Sequence, residues 1–203
     1  MAAPVRETRT DDSAAQRRLA RIERLRAALR DPDPQVRAAV SKALDRLEGR
    51  ADVAVLVAKL ETGDTVTRLN AIYGLGAIGG DAALPPLVAA LRDPVEDIRA
   101  AAVRTLGELR APATLDPIVE RLDDGSPLVR RHAIEALGGF GDRRVAPCLR
   151  ALLAEHDVEI LRSALHALGA TRDPDSEADV TRLLEHPDPT VRSAAVEALG
   201  ELD

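Results

Sequence analysis

The chain has 203 residues, of which 45% are hydrophobic and 31% charged, and its formal net charge is −6. With one Tyr, one Phe and no Trp, any core must be aliphatic, which is typical of closely packed helices. No apolar run approaches the ~18 residues that span a bilayer, the first residues do not resemble a signal peptide, and the single Cys148 excludes a disulfide framework. We therefore expect a soluble, cytoplasmic protein.

Charge is unevenly distributed along the chain. Residues 1–50 carry a net charge of +4, whereas residues 151–203 carry −8. We expect residues 1–12 to be disordered and a helix to follow, with an apolar stripe at Leu19, Ile22, Leu25 and Leu29. The arginines of this helix form either a solvated outer face that caps the fold or a patch for an acidic partner. They are Arg17, Arg18, Arg21, Arg24, Arg26 and Arg30.

A repeat of 31 residues runs through the chain from the first helix onward. One leucine series consists of Leu29, Leu60, Leu91, Leu122, Leu153 and Leu184, and a second of Leu44, Leu75, Leu106, Leu137, Leu168 and Leu199. An arginine series lies between them, at Arg37, Arg68, Arg99, Arg130 and Arg192, and is interrupted by Leu161. Such self-similarity is the signature of a repeat architecture.

Each repeat is predicted to form two helices separated by a breaker such as Asp93-Pro94 or Asp124-Gly125. The second helix follows the pattern V-R-x-x-A-[VI]-x-x-L-G, and its last glycine would let a neighbouring helix approach closely. Since one helix pair cannot bury its own apolar face, the pairs must stack. The sequence thus predicts an all-α fold, an α-solenoid of six repeats at about 14–49, 50–80, 81–111, 112–142, 143–173 and 174–203.

The pattern D-P-x-x-x-V-R-x-x-A-[VI]-x-x-L-G resembles short HEAT repeats of the kind named after phycobilisome (bilin) lyases. The resemblance covers nearly the whole chain and implies a single right-handed solenoid domain over residues 13–203. It also implies a ladder of acid–arginine pairs between layers. Asp93 precedes Arg99 by six residues, so the arginine could reach this preceding carboxylate or the turn carbonyls. The fifth repeat departs from the pattern, with Leu161 in place of the arginine, and Arg162 is expected to substitute.

If the second helices line a concave face, as in HEAT proteins, the residues between their core positions point outward. Tyr73, the only tyrosine, falls at such a position, and Tyr and Arg are frequent anchors of protein interfaces. We therefore predict a protein-binding surface on this face. Its candidate residues are Leu69, Asn70, Tyr73, Arg104, Arg131, His132, Glu135, Arg162 and His166.

The sequence contains little that indicates a catalytic, metal-binding or nucleic-acid-binding site. His132, Glu135 and His166 are a conceivable metal trio. However, deoxyhypusine hydroxylases, which are HEAT-like iron enzymes, use His-Glu pairs, and no His-Glu dipeptide occurs here. A DNA-reading solenoid would need aromatic side chains and a basic groove that this chain lacks. No nucleophile elbow or phosphate-binding loop is present. We expect no catalytic site, no metal, no cofactor and no nucleic-acid partner.

The C-terminal end lacks a visible polar capping helix, so Val191, Val196 and Leu199 are expected to be half covered. The protein is expected to be a monomer or to associate weakly end to end, because its two ends carry opposite charge. The sequence as a whole favours a prokaryotic, non-catalytic scaffold that binds a protein or peptide with acidic groups. The alternative is an accessory subunit of a bilin lyase-like or other protein-modifying enzyme, which rests on the family resemblance.

Overall fold

The computed structural model of the protein describes residues 9–202 and contains eleven α-helices and no β-strand within that range. Side chains are described from Gln16 onward, except at positions 34, 37–38, 41–42, 45–46 and 48–51. The helices are α1 (Arg9–Ala28), α2 (Pro34–Thr62), α3 (Thr65–Ile78), α4 (Leu84–Ala90), α5 (Glu96–Leu109), α6 (Leu115–Val119), α7 (Pro127–Phe140), α8 (Ala146–Ala151), α9 (Val158–Thr171), α10 (Glu177–Arg182) and α11 (Pro189–Glu201). The predicted all-α repeat fold is confirmed.

The chain divides into two compact units, residues 1–55 and 56–203, where the sequence predicted one domain. In the first unit, Ile22, Val40 and Leu44 form a small core against which Leu25 and Leu47 pack. Helix α2 runs without a break through the predicted repeat boundary at 49/50. No proline lies between residues 35 and 62, and a single glycine costs a helix only about 1 kcal/mol, so nothing forces an interruption there.

Helix α1 also differs from the prediction at its start. It begins at Arg9, inside the segment 1–12 that was expected to be disordered. The residues between 14 and 30 are mostly Ala, Gln, Arg and Leu, which are strong helix formers, and this helix extends backward from them. Residues 1–8 lie outside the described part of the chain.

The second unit consists of stacked layers in which the two helices of a repeat are unequal. The second helices α3, α5, α7, α9 and α11 have 13 or 14 residues each. From the third repeat on, the first helices are α4, α6, α8 and α10, each of only five to seven residues; the last three are flanked by short 3₁₀ turns. Asp64, Ser126, Asp157 and Asp188 cap second helices by accepting backbone N–H groups through their side chains.

The core of this unit lies along the stacked second helices, each of which packs on the next. The leucine series is fully buried at Leu75, Leu106, Leu137 and Leu168. The alanines that recur four residues earlier in the repeat pattern, at Ala71, Ala102, Ala133, Ala164 and Ala195, are buried as well. Small residues on one side and leucines on the other let neighbouring helices lie close together without voids.

A glycine in each of the helices α3, α5, α7 and α9 lies close to a small residue 29 positions further along the chain. A Cβ built on Gly107 would lie 2.6 Å from the Cβ of Ala136, and one built on Gly138 would lie 2.9 Å from the Cα of Ala167. Gly76 and Gly169 make the equivalent approach to the next helix. The predicted role of these glycines is confirmed for these four repeats, whereas Gly200 has no atom within 4 Å of its built Cβ.

An arginine ladder connects the layers, formed by Arg68, Arg99 and Arg130 with an acidic residue 25 positions ahead. The Arg99 guanidinium binds both carboxylate oxygens of Asp124 at 2.9 Å. Arg68 is paired with Asp93, and Arg130 lies 3.9 Å from Glu155. The acid therefore belongs to the following layer, so of the two partners predicted for the arginine, the preceding carboxylate is wrong and the turn carbonyls are confirmed. The preceding turn contributes a carbonyl instead, since Arg99 Nη1 donates to Asp93 O at 2.8 Å.

The ladder is interrupted in the fifth repeat. Leu161 is fully buried there, and the position 25 residues ahead of it is occupied by His186 instead of an acid. Arg162 does not substitute for the missing arginine, because it donates to Glu159 on its own helix at 2.9 Å. Both partners of the ion pair have thus been replaced together, which avoids leaving one charge buried and unpaired.

Helix α11 ends the described part of the chain with an incompletely covered surface. Val196 is 61% exposed and Leu199 is half-buried, as expected, but Val191 is fully buried, and that part of the prediction is wrong. Val191 lies in the first turn of α11, whose preceding 3₁₀ turn and α10 pack on this helix. The exposed part of α11 is accordingly confined to its other side.

Replacing Gly138 with alanine is expected to lower the free energy of unfolding by about 1–3 kcal/mol, because the new Cβ would overlap the backbone of Ala167. The matched control is Gly200→Ala, where the space is open and the higher helix propensity of alanine is expected to stabilise the protein by up to about 1 kcal/mol. Urea denaturation followed by circular dichroism measures both. Equal effects of the two substitutions would contradict the proposed close approach.

Replacing Asp124 with asparagine is expected to lower the free energy of unfolding by about 3 kcal/mol at neutral pH. The Asp124 side chain is only 5% exposed, so the substitution leaves the Arg99 guanidinium without its counter-ion in a buried place. As a control, Glu120→Gln breaks the exposed pair with Arg92 and is expected to cost less than about 1 kcal/mol. A similar cost for the two variants would argue against a structural role for the ladder.

The pH dependence of the stability of the wild type and of the Asp124→Asn variant provides a second test of the ladder. Burial raises the pKa of Asp124, but the hydrogen bonds from Arg99 and from the Ser126 N–H outweigh this and leave that pKa below its ordinary value. The stability that ionised Asp124 contributes is thus complete above the unfolded-state pKa of about 3.9 and is lost as pH falls through the lower folded-state pKa. The difference in stability between wild type and Asp124→Asn should therefore shrink below about pH 4.

Candidate functional site

The predicted binding residues lie on the exposed side of the second helices α3, α5, α7 and α9. We call this surface the second-helix face and define it by Leu69, Tyr73, Arg104, Arg131, His132, Glu135, Arg162 and His166, all of which line grooves between adjacent second helices. Asn70 is exposed on α3 but lines none of these grooves. The 31-residue spacing explains the arrangement, because equivalent positions of successive repeats lie side by side.

One set of equivalent positions forms a row across five helices. It contains Tyr73, Arg104, Glu135, His166 and Glu197, each on its own second helix. Neighbours in the row have complementary chemistry: the Arg104 guanidinium lies 5.1 Å from the centre of the Tyr73 ring, and His166 Nδ1 lies 3.7 Å from Glu197 Oε2. The cation–π contact holds both Tyr73 and Arg104 on the surface in a defined orientation.

The arginines of the second-helix face are each paired with an acidic residue of the same helix. Arg162 donates to Glu159 at 2.9 Å. Arg104 and Arg131 lie 3.9 and 3.8 Å from the carboxylates four residues ahead, those of Glu108 and Glu135. The face is therefore of mixed charge, whereas the prediction from the sequence was of arginines without these partners.

The site contains acidic residues that the sequence analysis missed, namely Glu108, Glu159 and Asp97. The spacing of three or four residues from Arg104 and Arg162 could have revealed the first two, since side chains at this spacing are neighbours on a helix. Asp97 is exposed on the first turn of α5 and borders the groove that contains Tyr73. Nothing in its repeat position indicated this, because the equivalent residues are Val66 and Leu128.

The second-helix face has a depression beside Tyr73. A depression of about 190 Å³ is bordered by Tyr73, Leu69, Arg104 and His132. Its floor is formed by Ala100 and Ala101, which are only 6% and 5% exposed. Because their side chains are small, neighbouring helices pack against them and the depression remains open above them. The depression thus combines an aromatic ring, an aliphatic side chain and a cation.

Two larger grooves continue the surface toward the C-terminus. The groove between α5 and α7 encloses about 550 Å³ and is lined by Arg104, Glu108 and His132, among others. The groove between α7 and α9 encloses about 480 Å³ and is lined by Arg131, Arg162 and His166. Gly107 and Gly138 lie in these grooves, so the same glycines that allow close packing also leave a channel above the helix contact.

The two histidines of the face pair with different carboxylates. His132 Nδ1 lies 3.1 Å from Glu135 Oε2, and His166 faces Glu197 instead. Within the described residues, no group of three or more His, Cys, Asp or Glu side chains is arranged to hold a metal ion. The same part of the chain contains no helix long and apolar enough to cross a membrane.

Comparison with known proteins gives a consistent assignment. A family model described as HEAT repeats matches residues 22–102, 84–169 and 157–203. No curated protein matches the chain significantly. Among solved structures, the complex of CpcE and CpcF of phycocyanin lyase from Nostoc sp. PCC7120 is similar, with 29% sequence identity and a TM-score of 0.66. That match covers 74% of this chain and 64% of the other, so the chain spans less than two thirds of that protein's length.

Two further structures share the fold at lower identity. A designed armadillo repeat protein in complex with the peptide (KR)4 is 18% identical and has a TM-score of 0.58. The match covers 90% of this chain and 99% of the other. YibA of Escherichia coli is 20% identical, has a TM-score of 0.61 and is covered over 77% of its length by 98% of this chain. The repeat geometry, the arginine ladder and the family match together show that the chain belongs to the HEAT-repeat family.

Proposed function

We propose that this HEAT-repeat protein is a non-catalytic scaffold that binds a protein or peptide segment along its second-helix face. The observation that carries the proposal is the depression at Tyr73, where an exposed aromatic ring is held by Arg104 beside Leu69. Tyr and Arg dominate the binding energy of many interfaces, and here they are fixed in place before a partner arrives. The two grooves toward the C-terminus extend the same surface.

The surface is preformed, because its residues project from packed helices and not from loops. A partner would therefore bind without ordering much of the backbone of this protein, which reduces the entropic cost of association. The ion pairs of Arg104 and Arg131 are half exposed, and exposed pairs contribute little to stability. A partner carboxylate can thus replace Glu108 or Glu135 at small cost, and the freed acid can take up a basic residue of the partner.

The chemistry of the face defines the partner we expect. An aromatic or aliphatic side chain would enter the depression over Ala100 and Ala101, and acidic groups would contact Arg104, Arg131 and Arg162. Glu108, Glu135 and Glu159 favour basic residues between those acidic groups. We therefore propose a segment that alternates in charge and carries one apolar anchor, a narrower class than the acidic partner expected from the sequence.

The second candidate function is that of an accessory subunit of a bilin lyase-like or other protein-modifying enzyme. The 29% identity to the phycocyanin lyase subunit complex favours this candidate. It predicts that a free bilin added to the purified protein changes its absorption spectrum. A scaffold that binds only protein segments would leave the spectrum unchanged.

We predict that the triple variant Tyr73→Ala, Arg104→Glu, Arg131→Glu binds peptides about 10- to 100-fold more weakly, because it removes the anchor contacts. Peptides of about 12 residues are selected on the wild-type protein from a display library, and their dissociation constants are then measured for both proteins. Circular dichroism verifies that the variant remains helical.

The matched control for this experiment is Ile78→Ala, Arg92→Glu, Arg182→Glu. It removes one exposed apolar side chain of similar exposure to Tyr73, 39% against 42%, and reverses two exposed arginines outside the face. Selected peptides should bind this control as tightly as the wild type. If peptides bound the face variant and the wild type equally well, the second-helix face would not be the binding site.

A further inference from the structure

Arg110 lines the groove between α5 and α7 and differs in its ionic contacts from the arginines of the second-helix face. Arg104, Arg131 and Arg162 each face a carboxylate of their own helix. Arg110 is exposed, and its side chain makes no ion pair or hydrogen bond with any residue that the structure describes. Its guanidinium is therefore open to an acidic group of a partner.

The Arg110 side chain reaches from the end of α5 to the neighbouring helix α7. Its Nε and Nη2 atoms both lie 3.8 Å from the position that a Cβ on Gly139 would occupy. The equivalent residue one repeat earlier is Glu108, and a side chain of that length at position 139 would meet the guanidinium. The glycine thus leaves the space in which Arg110 lies across the end of the groove.

The backbone conformation of Arg110 is unfavourable for an arginine. Arg110 caps the C-terminus of α5 with φ 48° and ψ 34°, in the left-handed region. Gly79 and Gly141 occupy the equivalent positions after α3 and α7, and both have positive φ. Glycine adopts this conformation without the steric cost that a Cβ brings, and residues that accept such a cost are concentrated at functional sites.

A second residue separates a binding role from a purely structural one. A cation near a helix C-terminus interacts favourably with the helix dipole, which would be a structural reason for the arginine. Arg172 has the same left-handed conformation at the end of α9 and is also exposed. It lines none of the three grooves of the second-helix face. Arg172 therefore shares the position of Arg110 in the repeat but not its place in a groove.

The place of Arg110 relative to the depression at Tyr73 defines a distance along a bound segment. Arg104 borders both the depression and the groove between α5 and α7. Arg110 follows Arg104 by six residues, which corresponds to about 9 Å along the axis of α5. Three residues of extended chain span about this distance. A segment that is anchored at Tyr73 and continues along the groove would thus bring a residue about three to five positions from its anchor to Arg110.

Charge determines what this residue of the segment must be. The carboxylates of the groove already have partners, since Glu108 faces Arg104 and Glu135 faces Arg131. The charge of Arg110 is left without a counter-ion, and a guanidinium can bind both oxygens of a carboxylate. We propose that Arg110 determines specificity on the second-helix face by binding an acidic residue of the partner segment, about three to five positions from its apolar anchor. This inference rests on the proposed function and names one required residue of the partner.

The test measures how the 12-residue peptides selected on the wild-type protein bind to Arg110→Gly, with Arg172→Gly as the matched control. Arg110→Gly is expected to bind them about 10-fold more weakly, and Arg172→Gly as tightly as the wild type. Arg110→Lys, which keeps the charge but not the planar pair of donors, should have intermediate affinity. Both glycine variants should melt at the temperature of the wild type or above it, because glycine adopts the left-handed conformation without strain. Weaker binding by Arg110→Gly would then not reflect a loss of folding.

Replacing each acidic residue of a selected peptide by its amide identifies the residue that contacts Arg110. One such replacement should weaken binding to the wild type about 10-fold and leave binding to Arg110→Gly unchanged. That residue should lie about three to five positions from the apolar anchor. The inference is overturned if no acidic residue of any selected peptide is coupled to Arg110 in this way, or if Arg172→Gly loses as much affinity as Arg110→Gly.

The triple variant Tyr73→Ala, Arg104→Glu, Arg131→Glu distinguishes failure of this inference from failure of the proposed function. Weaker binding by the triple variant with unchanged binding by Arg110→Gly would overturn the inference alone. Weaker binding by Arg110→Gly with an unaffected triple variant would support the contact with Arg110 but contradict an anchor at Tyr73. Unchanged binding by both variants would overturn both proposals, because the peptides would then bind elsewhere on the protein.

Discussion

The structure depends on the contact between successive second helices. A single helix pair of this protein has too little apolar surface to be stable alone, so each layer must be completed by the next. Two interactions fix the distance and register of that contact: the glycine that touches a small residue 29 positions ahead, and the ladder arginine that binds an acid 25 positions ahead. The first sets how close the helices come, and the second prevents one from sliding along the other.

The candidate binding surface follows from this register. Since equivalent residues of successive repeats lie side by side, the identity of one position in each repeat determines a row across the protein, from Tyr73 to Glu197. Two pairs of neighbours in that row are in contact, Tyr73 with Arg104 and His166 with Glu197. A repeat scaffold can thereby present varied side chains on an unvarying backbone, and specificity can change without a change in fold.

The fifth repeat and helix α11 show how far the same register extends. Leu161 and His186 depart from the ladder together, so that layer lacks the ladder ion pair, although Arg150 still donates to Asp175 O and His166 still faces Glu197 across the boundary. At α11, in contrast, Arg192 and Gly200 retain the pattern although no layer follows in the structure.

Much of the fold and of the candidate site could be predicted from the sequence, because residues that recur at a strict period occupy equivalent positions in the packed layers. The 31-residue spacing of leucines, alanines and glycines determined the fold, the burial of Leu106 or Ala133, and the residues of the second-helix face. The period could not reveal that Arg99 binds Asp124 of the next layer and not Asp93, because both acids occur at repeat positions. It also could not show that α2 continues past residue 49, since local signals there neither favour nor forbid a helix.

The sequence by itself thus determined which residues occupy equivalent positions in the repeats, whereas the tertiary structure decided which of these residues are in contact. Repeat positions are set by spacing along the chain, but contact depends on how adjacent layers are offset. That offset is fixed only when glycine and alanine meet and the arginine reaches across the layer boundary. For the same reason, the contact of Arg104 with Tyr73 of the neighbouring helix, and the burial of Ala100 beneath them, became evident only in the folded protein.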